Sequence, residues 1–117
     1  MANKDAPQTK PSLPPPELPE AHNGVVSLKD VPEAGMSFIV PEHYDISAGD
    51  TVVARFGVAG DDFPWEVKHV VDRPVSFKLF VPRSVLLDLT GKTAYAVYWV
   101  DTPAYPTSPD VEVKITH

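Results

Sequence analysis

Apolar and polar side chains alternate along this chain in short runs with the two-residue period of a β-strand. The clearest run is 75–81, where Val75, Phe77, Leu79 and Val81 share one face, and Pro82 closes it. Similar runs lie at 25–28, Met36–Val40, 51–56, 65–71, Thr93–Val100 and 111–115. Turn formers separate them: Asn23-Gly24, Asp30 to Pro32, Pro41, Gly49-Asp50, Gly57 to Pro64 and Asp72 to Pro74. The segment 84–89, with Val85, Leu86 and Leu89, fits a helical turn or a short strand. Seven or eight strands at roughly ten-residue spacing, with no long helix, predict an all-β fold, a sandwich or barrel of short antiparallel strands.

Thr93–Val100 stands apart because both of its faces are apolar. Thr93, Tyr95, Val97 and Trp99 share one side, and Ala94, Ala96, Tyr98 and Val100 the other. Such a strand is buried twice or shows an apolar row to solvent. By pattern alone, Leu89 and Tyr95 also suit the tyrosine corner of a sandwich, which would turn Tyr95, Val97 and Trp99 inward.

Residues 1–20 hold six of the 14 prolines, and 12–19 favours polyproline II. The expected organisation is a Pro-rich flexible tail or linker over 1–20, followed by one sandwich domain over 21–117. PxxP spacing at Pro11 and Pro14, then Pro16 and Pro19, would also suit a docking ligand; a linker is the plainer reading.

A formal charge of −6, with ten scattered Lys and Arg, argues against nucleic-acid and anionic-membrane partners. The absence of Cys excludes disulfides, thiolate catalysis and Cys-based zinc sites. No apolar run is long enough to span a membrane, and the N-terminus lacks the apolar core of a signal peptide. The compartment stays open between the cytosol, export by a route needing no N-terminal signal, and release from a larger secreted protein.

His22, His43, His69 and His117 fall in separate segments without ligand spacing. Asp45, Asp50, Asp61 and Asp62 sit in loops where Ca²⁺ finds oxygen ligands, but without the alternation of a calcium loop. No nucleophile elbow or phosphate-binding Gly-rich loop is present. The reading is therefore a non-enzyme, with no catalytic residues, no metal and no cofactor.

Taken together, several segments resemble a bacterial immunoglobulin-like repeat, of the kind strung along large surface-associated or secreted proteins of Gram-negative bacteria, pseudomonads especially. The residues that carry the resemblance are Leu18 to Leu28, Val40-Pro41, Tyr44, Ile46, Gly49 to Val52, Phe77, Leu79, Val81-Pro82, Gly91, Thr93, Tyr98, Val100 and Val111 to Val113. The resemblance implies an immunoglobulin-like sandwich and a structural, adhesive or interaction role without catalytic residues. It also implies that Ala94, Ala96, Tyr98 and Val100 face the core. Ala54 and Ala96 then fill the central inter-sheet positions, Trp65 packs beside them, and Tyr95, Val97 and Trp99 form a candidate interaction patch. The partner would be another protein. The alternative is a carbohydrate-binding module that stacks sugar rings on Trp99 and Tyr95 or Tyr105. Oligomeric state is not legible at this level.

Overall fold

A computed structural model describes residues 13–58, 64–102 and 106–117. Asp61, Asp62 and Tyr105, and with them part of the calcium and sugar-stacking expectations, lie outside the described residues. The chain forms β1 (Ala21–His22), β2 (Val25–Ser27), a 3₁₀ turn (Leu28–Asp30), β3 (Met36–Val40) and β4 (Thr51–Gly57). There follow β5 (Trp65–Val70), β6 (Phe77–Val81), helix α1 (Arg83–Asp88), β7 (Thr93–Val100) and β8 (Val111–Thr116). One sheet has six strands in the order β1-β2-β8-β7-β4-β5, and the other pairs β3 with β6.

The chain crosses between the sheets four times: through the 3₁₀ turn from β2 to β3, from β3 to β4, from β5 to β6, and through α1 from β6 to β7. All pairings are antiparallel except that of β2, near the start, with the last strand β8. The fold is thus an all-β sandwich of one six-stranded and one two-stranded sheet. The ambiguous segment at 84–89 is helical, and Arg83 ties it down by donating to the Leu28 and Val31 carbonyls at 2.7 and 2.6 Å.

Between the sheets lies one apolar core. From the small sheet come Met36, Phe38, Val40 and Val81, and from the large one Val26, Val52, Ala54, Phe56, Ala94, Ala96, Tyr98, Val100, Val113 and Ile115. Phe38 organises it. Its ring lies 5.4 Å from Trp65 and meets Tyr98 edge-on at 6.5 Å, a geometry aromatic rings favour. Trp65 is buried. β3 therefore lies across β4, between β5 and β7. β6 faces β5, where Phe77 stacks on His69 at 4.4 Å.

The expected tail boundary at residue 20 is corrected. Residues 13–20 run along β3 and belong to the domain: Leu13, Pro16 and Leu18 are buried. Glu17 and Ile39 exchange two backbone hydrogen bonds of 2.9 Å. The Glu20 carboxylate accepts from both the backbone N–H and the hydroxyl of Ser37, at 3.0 Å each. Pro is excluded from central ladders but tolerated at a sheet edge, and this segment is an edge.

Candidate interaction surface

The register of β7 decides what the outer face of the large sheet presents. Ala94, Ala96, Tyr98 and Val100 are buried, and Tyr95, Val97 and Trp99 alternate with them as half-buried outer residues. Tyr95 thus faces away from the core, and the tyrosine-corner reading does not hold. Pairing with β4 sets Val53 beside Trp99 and Arg55 beside Val97, and pairing with β8 sets Glu112 beside Tyr95.

Neighbouring charged side chains partly cover this face. The Arg55 guanidinium lies 4.8 Å from the centroid of the Trp99 ring, while its Nε donates to the Glu66 carboxylate. Guanidinium stacking on indole is favourable, and the three side chains form a chain across β5, β4 and β7. Val53 is only 3 % exposed although it points outward, because Trp99 and Lys68 flank it on the adjacent strands. Tyr95, Val97 and Trp99 therefore form a row along the outer face that Arg55 partly roofs at Trp99. The pattern of apolar positions showed the row. The roof was not legible, because it depends on Arg55 lying across a strand from Trp99.

The other chemistry-bearing residues do not converge. His22, His43, His69 and His117 lie in β1, the β3–β4 loop, β5 and the C-terminus. His43 Nδ1 accepts from the Asp45 backbone N–H at 3.1 Å, and its ring stacks on Tyr44 at 4.2 Å. Asp50 accepts from the Ser47 N–H at 2.9 Å, closing the turn before β4. No group of three His, Cys, Asp or Glu suited to a metal occurs among the described residues.

The one strongly perturbed group is Tyr98. Burial, and secondarily the Glu17 carboxylate, push its phenol well above the usual tyrosine range. Its hydroxyl donates to the Pro14 carbonyl at 2.7 Å, so it is a structural tie.

Fold and surface together define the class: an all-β sandwich with a mixed apolar and charged outer face. No protein-family model, curated protein or solved structure matches the chain.

Proposed function

We propose that this domain is a non-enzymatic immunoglobulin-like module with a structural, adhesive or protein-interaction role. The supporting observation is the outer row of Tyr95, Val97 and Trp99. It lies on a regular, well-paired sheet rather than on loops, which suits a flat protein partner, and Trp, Tyr and Arg are the types enriched at binding hot spots. The bacterial, surface-associated setting implied by the resemblance belongs to the same proposal.

The carbohydrate reading is the weaker one. A sugar platform needs an open aromatic face, and Arg55 lies over that of Trp99. Replacing Trp99 with Ala should cost about 0.5–3 kcal/mol, the common range for single substitutions, leaving a folded domain. The Tyr95→Ala/Trp99→Ala variant and the wild type should be compared on a glycan array and against a displayed peptide and protein library. Protein ligands lost in the variant while the fold is retained support the proposal. Glycan retention that depends on Trp99 establishes the alternative, and ligands indifferent to both substitutions remove this face from the account.

A further inference from the structure

On one side of the sandwich both sheets end in an open strand edge, and the two edges lie one above the other. Among the described residues β6 pairs only with β3, and β5 only with β4. Phe77 on β6 stacks on His69 of β5. Phe38, paired with Leu79, lies against Trp65 while Phe77 lies against His69, so the two strands run in opposite directions, and stepping two residues along each from the Phe77–His69 stack sets Leu79 level with Val67. All four side chains are half-buried, which marks this side as incompletely closed.

The hydrogen-bond parity of each edge follows from the ladders. Ile39 exchanges its bonds with Glu17, and the Ser37 N–H goes to Glu20, so residues 37 and 39 face the N-terminal segment. Backbone direction alternates along a strand. Residues 36, 38 and 40 thus bond to Val81, Leu79 and Phe77. That leaves the N–H and C=O of Lys78 and Phe80 turned to the open side. On β5, Val71 bonds towards Gly49 and Asp50 at 2.8 Å. By the same alternation Val67 and His69 face β4, and Glu66 and Lys68 face outward.

We infer that these edges bind a second copy of the chain, in a symmetric dimer that continues both sheets across one two-fold axis through Leu79 and Val67. In this register Lys78 pairs with Phe80 of the other copy, and Phe80 with its Lys78, using every outward group of the two residues. Lys78 already approaches the Phe80 ring of its own chain at 5.9 Å, and Phe80 is 45 % exposed. About the same axis Glu66 pairs with Lys68 of the other copy, twice, and no like charges meet. Sliding β6 so that Lys78 meets its own counterpart opposes two cations, which is unfavourable. Sliding it the other way brings in Pro82, which has no N–H to offer. One axis thus satisfies both edges at once. The β5 edge meets the Trp99 face at Glu66, which accepts from Arg55; Leu79, on the other sheet, tests the dimer apart from that face.

Charge reversal on β5 gives the test, because Glu66 and Lys68 are exposed and neither supports the core. Wild-type protein should show a concentration-dependent dimer by sedimentation velocity between 5 and ~500 µM. Lys68→Glu alone sets Glu against Glu at both pairs, and Glu66→Lys alone sets Lys against Lys. Each should weaken dimerisation at least about tenfold, as ~1.4 kcal/mol of repulsion implies. An equimolar mixture of the two variants restores both opposite-charge pairs and should dimerise again. In parallel, Leu79→Cys in this Cys-free chain should oxidise to a covalent dimer. Residue 79 meets its counterpart as a non-hydrogen-bonded pair, with Cα atoms about 4.5 Å apart, within disulfide range. A wild type that stays monomeric across the range overturns the inference. So does a dimer that both reversals leave unchanged, or one that the mixture fails to restore.

Discussion

The Tyr98 hydroxyl, on β7 of one sheet, donates to the carbonyl of Pro14 at 2.7 Å, 84 residues earlier in the chain and on the edge of the other. The backbone N–H of the same residue donates to Ser108 Oγ at 3.0 Å, and its ring meets Phe38 edge-on. Tyr98 thus joins the N-terminal segment, both sheets and the β7–β8 loop.

The segment before β1 should consequently carry stability. A chain beginning at Ala21 loses two buried leucines, Leu13 and Leu18, each worth about 1.5–3 kcal/mol on full burial. It should be at least about 3 kcal/mol less stable than a chain beginning at Leu13, a large share of the 5–15 typical of a domain. Equal urea midpoints for the two would show that 13–20 contributes nothing.

Alkaline pH should destabilise the domain through Tyr98. Its phenol is held protonated by burial and by the Glu17 charge, whereas in the unfolded chain it ionises near pH 10. Below pH ~10 both states carry the proton and the contribution is fully present. As pH rises beyond that, the unfolded state binds fewer protons than the native one, and stability falls. Tyr98→Phe should show a shallower loss in urea melts between pH ~9.5 and ~11. Absorbance titration of the native protein should leave one of its four tyrosines protonated until unfolding.

Core substitutions should rank by burial rather than by how cleanly the strand alternates. Phe38 is fully buried between Trp65 and Tyr98, so Phe38→Ala should cost about 3–5 kcal/mol. Leu79 belongs to the cleanest alternation in the chain, yet it lies half-exposed beside an open edge. Leu79→Ala, measured at low protein concentration, should cost less than about 2 kcal/mol, below the range for a fully enclosed leucine. The reverse ranking in denaturant titrations would refute this placement of the core.

Gly35 should be the least replaceable glycine among those described. Its φ is +113°, and a Cβ there would collide with the Val81 carbonyl oxygen. Gly24 also has a positive φ, +78°, but nothing lies within 4 Å of its added Cβ. Gly24→Ala should therefore cost only the left-handed penalty of about 1–2 kcal/mol. Gly35→Ala must also push β6 away from the turn before β3, and should fall clearly below it in thermal midpoint. Similar midpoints would mean that the close approach is relieved cheaply.

Much of this architecture was legible along the chain. Alternation located β3, β4, β7 and β8 nearly to the residue, because each strand lies half in a core and carries that burial as a period of two. Resemblance to a bacterial repeat turned Ala94, Ala96, Tyr98 and Val100 inward, as the structure has them. Residues 13–20 escape the pattern because Pro content argues against a central strand and says nothing of an edge. Leu13 and Leu18 are buried in a segment whose ties, Pro14 to Tyr98 and Glu17 to Ile39, form only once those distant residues are brought to it. Local pattern was equally silent on the outer face and the open side. Whether Trp99 is bare depends on Arg55, 44 positions away and one strand over. Whether Leu79 is enclosed depends on how many strands the small sheet has. The sequence by itself determined the strands and the inward faces of most of them, because backbone geometry and burial act residue by residue. Which edges remain unpaired, and which side chains lie over which, only the tertiary structure decided, because these are properties of neighbours that the chain brings together from afar.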